Sequence, residues 1–161
     1  MTPDFTIRMA APRDVPQILR LIAALAEYEK LADMLVGTEA LLAEQLFGKR
    51  PAAECLIAER GARAVGFALF FTTFSTFLCR PGLYLEDLFV EPDERGRGIG
   101  KALLKGLAAL AVERECGRFE WRVLDWNEPS IKFYESLGAT VMPEWQLVRM
   151  TAPEFAALAG R

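Results

Sequence analysis

The chain has 161 residues, which suits one domain, and 52% of them are hydrophobic, ample for a single well-filled core. A formal net charge of -3 argues against nonspecific nucleic-acid binding as the main role, and it is compatible with a cationic substrate without demonstrating one. With no histidine anywhere, His-dependent triads and His-ligated metal sites are excluded, so proton transfer falls to carboxylates, Tyr, Cys, Lys or water.

In chain order, Met1-Thr2-Pro3-Asp4 carries neither the basic region nor the apolar core of a secretory leader. Phe5 to Met9 reads as an opening strand. Asp14 then suits a helix cap, with Gln17 three residues on and Pro16 in the first turn. Val15, Ile18, Leu19, Ile22, Leu25 and Ala26 give that helix an apolar face, and it ends in Glu27-Tyr28-Glu29-Lys30. A second helix is predicted to start after Thr38 and stop at Gly48, with Leu41, Leu42, Gln45 and Leu46 between.

The period then changes. Glu54 to Arg60, Arg63 to Phe74 and Gly82 to Val90 read as strands, with Gly61 turning between the first two and Arg80-Pro81-Gly82 marking the next break. Ala64 to Cys79 is uncharged but shorter than the ~18 residues of a membrane span, so no membrane partner is expected. Short connections favour an antiparallel meander. Glu91-Pro92-Asp93-Glu94, a glycine loop and an amphipathic helix carrying Ile99, Leu103, Leu104 and Leu107 follow, then a strand from Phe119 to Leu124. Leu83–Val90, that helix and Phe119–Leu124 make one βαβ unit, so the sheet should be mixed. Asn127 suits the cap of a short helix with Pro129 near its start and Gly138 past its end. Ala139 to Met142 and Trp145 to Met150 are expected closing strands. The three cysteines, Cys55, Cys79 and Cys116, are an odd set without metal-like spacing, which favours reduced thiols in a cytoplasmic protein and no metal.

Arg95-Gly96-Arg97-Gly98-Ile99-Gly100-Lys101 carries the first chemical signal. Glycines remove Cβ atoms where an anion approaches backbone N–H groups, the helix start adds its positive dipole end, and Arg95, Arg97 and Lys101 add charge. Alternating glycines alone also suit an ordinary strand-to-helix turn. No Gly-Lys-Ser/Thr follows, and the spacing and mid-chain position do not fit a dinucleotide fingerprint.

The pattern R-x-x-G-x-G, met by Arg95, Gly98 and Gly100, resembles the acetyl-CoA motif of the GNAT superfamily of N-acetyltransferases. Tyr84-Leu85-Glu86-Asp87-Leu88-Phe89-Val90 and Trp126-Asn127-Glu128-Pro129-Ser130-Ile131-Lys132-Phe133-Tyr134 flank it in order, and Ile7-Arg8 and Leu19-Arg20-Leu21-Ile22 stand near the start. Together they resemble the diamine (spermidine/spermine) and thialysine N-acetyltransferase branch over nearly the whole chain. The resemblance implies one GNAT domain over residues 1–161: an α/β fold with a mixed, mostly antiparallel twisted sheet, a central strand splay and flanking helices. It also implies acetyl-CoA as co-substrate and a homodimer, to which the segment from Trp145 could contribute.

By that resemblance the main chain of Leu88, Phe89 and Val90 binds the pantetheine arm. Arg95, Gly96, Arg97, Gly98, Ile99, Gly100 and Lys101 hold the pyrophosphate, and Asn127, Glu128, Pro129 and Ser130 contact the donor from the other side. A primary amine with a pKa near ~10.4 is neutral in about one molecule in 2,500 at pH 7, a penalty of roughly 4–5 kcal/mol, so a proton acceptor is needed. Glu86 is the candidate, while Asp87 on the opposite strand face reads as structural. Tyr134 matches the family's general acid for the departing CoA thiolate, and a packed helix tyrosine would look the same. An acyl-cysteine route finds no activating histidine, so direct transfer in a ternary complex is expected.

The resemblance places Tyr28, Glu29, Glu120, Trp121 and Arg122 against the amine, with Glu29 and Glu120 suited to a cationic tail and Arg122 to a carboxylate-bearing amino acid. The same residues also read as a solvated helix end and strand edge. The expected reaction is acetylation of a small-molecule primary amine: a polyamine, a diamine or a thialysine-like amino acid. A protein or peptide amine is the same-class alternative, and a non-catalytic acyl-CoA-binding module is the alternative from another class.

Overall fold

In the computed structural model, which describes residues 4–161, the apolar runs of the first half pair into one sheet. Met1, Thr2 and Pro3, on which the reading of the amino terminus partly rests, lie outside the described residues. Thr6–Met9 (β1), Glu54–Arg60 (β2), Arg63–Ser75 (β3) and Arg80–Val90 (β4) form an antiparallel meander, and Arg118–Trp121 (β5) lies parallel to β4 at the end of the order β1-β2-β3-β4-β5. The sheet is therefore mixed and mostly antiparallel, as expected. Gly61, at φ +63°, makes the β2–β3 turn.

Helices Val15–Tyr28 (α1), Glu39–Phe47 (α2) and Ile99–Glu113 (α3) cover the sheet because alternate strand residues are apolar on both faces. Ile18, Leu21 and Leu25 of α1 and Leu46 of α2 bury together with Cys55, Ile57, Phe67 and Phe89. Leu56 points the other way, to α3, where a Cβ added at Gly106 would sit 3.0 Å from Leu56 Cδ1. Each fully buried leucine, such as Leu21 or Leu107, contributes about 1.5–3 kcal/mol by leaving water. The chain divides into two units, one running to Arg122 and the other Val123–Arg161. The second holds helices Glu128–Ser136 (α4) and Ala152–Leu158 (α5). Among the described residues no helix is long and apolar enough to cross a membrane.

Four expectations are corrected. Asp14 and Gln17 do not form a capping box on α1. The buried Asp14 carboxylate accepts Arg8 Nη1 and Nη2 at 2.7 and 2.9 Å and the Ala11 N–H at 2.7 Å, while Gln17 Oε1 accepts the Ala64 N–H at 2.7 Å. Arg80-Pro81-Gly82 is not the break: these residues open β4, and the Pro81 carbonyl accepts the Gly117 N–H at 2.8 Å. The predicted Phe119–Leu124 strand ends at Trp121, opposite Leu85. Finally, residues 139–150 form no strand. Their hydrogen bonds are turn bonds, such as Ala139 N–H to Tyr134 C=O at 3.2 Å, and β-propensity without a ladder partner does not make a strand. The carboxyl end is instead the helix α5, with Thr151 and Glu154 in a capping box.

Candidate active site

The site begins with an extra residue. In the β3–β4 ladder Leu69 faces Asp87 and Phe70 faces Leu85, so Glu86 has no partner and forms a bulge. Pairing with β5 stops at the same place, since Leu85 opposite Trp121 is its last pair. A bulge bends its strand, so β4 leaves β5 here and Glu86 to Val90 run on with no strand on that side among the described residues.

That edge carries backbone groups that the β3 ladder does not use. The Glu91 N–H donates to Val65 C=O at 3.0 Å, and the Phe89 carbonyl lies 2.9 Å from where a Gly66 Cβ would stand, so residues 89 and 91 turn their polar groups toward β3. Alternation turns those of Leu88 and Val90 the other way, to the open edge. Arg95 Nε already donates to the Val90 carbonyl there, at 3.0 Å. The Arg95 guanidinium lies 4.8 Å from the centre of the Tyr28 ring and 5.6 Å from that of Phe89, so it links the loop to the end of α1.

The glycine loop follows directly. Gly96 and Gly98 sit at φ +77° and +83°, with nothing within 4 Å of a would-be Cβ. Gly98 starts α3 without a side-chain cap, and the first helical bond is Ala102 N–H to Gly98 C=O. The N–H groups of Ile99, Gly100 and Lys101 therefore have no acceptor inside the helix. Buried Ile99 anchors the turn. Open N–H groups, room at the glycines and an unpaired strand edge leading into them fit an extended amide-containing chain that ends in phosphates.

The carboxylates are sorted differently from the sequence reading. Glu86 is exposed and its closest cation is Arg122 Nη2, at 3.7 Å. Asp87 instead lines a hollow of about 180 Å³ with Glu29 and the apolar side chains of Ile22, Leu25, Met34 and Leu35. Burial there, reinforced by the nearby charges of Glu86 and Glu29 and partly offset by Arg122, pushes the Asp87 carboxyl up to about 6. Burial also raises Glu29. The end of α1 thus meets β4 around a group poised to exchange a proton near neutral pH. Strand alternation could not show this, because the bulge alters the facing of neighbouring residues.

Other predicted residues fall as follows. Glu120 is paired with Arg118 at 2.9 Å, the Trp121 ring meets that of Phe119 at a tilt of 55° with centroids 4.9 Å apart, and Arg122 lies 5.7 Å from the centre of the Tyr84 ring as well as near Glu86. In the second unit, Asn127 caps α4 by accepting the Ser130 N–H at 3.4 Å, with Pro129 in the first turn, as the sequence predicts. Glu128 pairs with Lys132 at 3.4 Å, and the Tyr134 ring is 5.5 Å from that of Phe133. The sequence reading passed over Glu91 and Glu94, which are buried just before the loop and bonded to arginines. Their spacing on either side of Pro92, close to an arginine-rich loop, was the available signal.

A sequence model described as the acetyltransferase (GNAT) family matches residues 22–139. The chain is 38% identical to thialysine N-epsilon-acetyltransferase of Sus scrofa, over 96% of this chain and 97% of that protein. It is 34% identical to L-ornithine N5-acetyltransferase of Arabidopsis thaliana, over 94% of this chain and 86% of that protein. Among solved structures, an integron cassette protein from the mobile metagenome of V. cholerae superposes with a TM-score of 0.83 at 26% identity, covering 98% of this chain and 99% of that one.

Proposed function

From the premise that the chain belongs to the acetyltransferase (GNAT) family, we propose that it moves an acetyl group from acetyl-CoA to the primary amine of a small diamine, most readily a diamino acid. The observation that carries this reading is the open β4 edge at Leu88 and Val90 running straight into the uncapped start of α3. Leu88, Phe89 and Val90 align the pantetheine arm through their main chain, and Gly96 to Lys101 receive the phosphates. Asn127, Glu128, Pro129 and Ser130 also contact acetyl-CoA in this proposal, as the sequence resemblance implies.

The amine enters beside the β4 bulge. Its cation is attracted by Glu29, Glu86 and Asp87, and its proton leaves to the β4 carboxylates. Glu86, exposed at the bend, takes the proton directly or through water. Asp87, pushed up to about 6, is largely ionised at neutral pH and can accept it in turn. Tyr134 donates to the departing thiolate, whose conjugate acid has a pKa of about 8.5, within reach of a phenol as proton donor. Arg122 suits the α-carboxylate of an amino acid, and Tyr28 and Trp121 offer apolar walls. Glu120, engaged by Arg118, is less available for a cationic tail.

The reading extends to a homodimer in a reducing cytoplasm. Unpaired Cys55, Cys79 and Cys116 and the exposed apolar side chains of Trp145, Leu147 and Val148 support it, and sedimentation of the full chain tests it. Catalysis is tested by thiol release from acetyl-CoA over a panel holding thialysine, ornithine, spermidine and a lysine peptide. Amine-dependent release, strongest for the diamino acids, is expected. Tight donor binding without amine-dependent release with any member would leave only a binding module.

A further inference from the structure

The turn between β4 and the glycine loop contains two buried carboxylates three residues apart, Glu91 and Glu94, each 6% exposed. Glu91 accepts from Arg20 of α1 and is ion-paired with Arg63 of β3 at 2.6 Å, and Arg20 also donates to the Ala64 carbonyl at 2.7 Å. Glu94 accepts Arg60 Nη1 of β2 on both oxygens, at 3.0 and 3.1 Å, and forms an ion pair with Arg97, whose Nε lies 3.2 Å away. Arg60 is in turn held by Asp4 at 2.6 Å. Of these four arginines, Arg20, Arg60 and Arg63 belong to the framework. Arg97 alone stands on the cradle, between two glycines at positive φ.

That placement matters physically. An arginine flanked by two such glycines has little backbone restraint, and a free side chain of this length loses much rotamer entropy when a ligand fixes it. A buried carboxylate already tied to β2 removes much of that loss beforehand. The closest approach of Arg97 to Glu94 is through Nε, next to the stem, so the outer nitrogens are the ones to meet a phosphate. Half of the Arg97 side chain is open to solvent, as a group meeting a ligand requires.

We propose that Glu94 is a positioning residue for the donor: it holds Arg97 beside the glycine cradle so that its guanidinium engages the nucleotide phosphates of acetyl-CoA. This rests on the reading of the site as an acetyl-CoA site. Calorimetric binding tests it independently of turnover, using acetyl-CoA and S-acetylpantetheine, which lacks those phosphates. Glu94→Gln, which keeps a hydrogen-bonding group for Arg60, and Arg97→Gln are each expected to weaken acetyl-CoA about tenfold, the scale of one charge-assisted contact. S-acetylpantetheine should stay within about twofold, and the double variant should be no weaker than either single one, because the two residues act as a unit. Equal loss on both donors would make Glu94 a fold residue only and overturn the proposal, as would single effects that multiply. Arg97→Gln, on the half-exposed loop, keeps the test decisive should Glu94→Gln fold poorly. If the wild-type protein binds neither compound, the acetyl-CoA reading itself has failed, an outcome distinct from a loss confined to the variants.

Discussion

Asp87→Asn replaces a charge that the fold opposes with a neutral group of nearly the same shape. The carboxyl rises from 3.8 to about 6 on folding, mainly through burial in the hollow below α1, with Glu86 and Glu29 adding repulsion. A rise of about two units at 1.36 kcal/mol each sets a ceiling of roughly 3 kcal/mol on the penalty at neutral pH. The hollow is open to solvent on one side, so we expect about half of that, ~1–2 kcal/mol. Because the folded value is the higher one, the penalty is absent below pH 3.8, develops between 3.8 and 6, and is complete above. Asp87→Asn should therefore raise the melting temperature by about 3–6 °C at pH 8 and leave it unchanged near pH 3.5. The rate should respond in the opposite sense: kcat/KM of the wild-type enzyme falls below pH ~6, and the variant loses that limb together with most of its neutral-pH activity. Differential scanning at the two pH values and a pH–rate profile read both effects. A destabilised variant at pH 8, or an acid limb that persists in it, would refute the assignment.

Four further expectations follow from the site and its frame. Tyr134→Phe keeps acetyl-CoA binding and lowers kcat by about 10²–10⁴, the usual share of a general acid; unchanged turnover at saturating substrate rejects that role. Glu86→Gln loses rate chiefly near neutral pH, and a profile that merely shifts down in parallel would count against a base there. Gly98→Ala, forced into the left-handed region at φ +83°, costs about 1–2 kcal/mol in denaturant unfolding and raises the KM for acetyl-CoA. Asp14→Asn weakens one of the two carboxylate contacts of Arg8, which keeps Glu59, and costs about 1.5–3 kcal/mol in urea unfolding at pH 7. Arg8 holds the Asp14 carboxyl below its usual range, so the wild-type contribution is present above pH 3.8 and is lost as pH falls through the lowered value; equal stability of the two proteins at pH 7 would refute it.

Where one physical signal dominated, the sequence was easy to read. β2 matches its predicted bounds because an apolar run is closed by a Gly61 turn, and α1 and α3 follow their apolar stripes. Asn127 caps α4 as predicted and Thr38 caps α2 at its predicted start, since each bonds within its own turn. Asp14 defeated the same reasoning because its carboxylate is claimed by Arg8, six residues earlier on β1. Pro81 looked like a breaker, yet proline is tolerated in a strand where its missing N–H is not needed by the ladder.

The site was legible as motifs and not as geometry. The glycine loop announced a phosphate cradle because its chemistry is local backbone chemistry. The choice between Glu86 and Asp87 depends on one bulge, which moves Glu86 out of the ladder and leaves Asp87 facing α1. Alternation assumes that no such residue is inserted, so the signal was absent from the pattern itself. Glu91 and Glu94 were hidden for a related reason: their partners come from α1, β2 and β3, which sequence distance separates.

Direct transfer to a small amine is tested most directly by a single turnover. The protein is loaded with a substoichiometric amount of acetyl-CoA and mixed with ornithine or thialysine, and the acetyl group is followed by mass spectrometry. The account predicts that it passes from CoA to the amine with no acetylated protein along the way, the three thiols included. An acetyl group that stays on CoA, or that first appears on the protein, would contradict it.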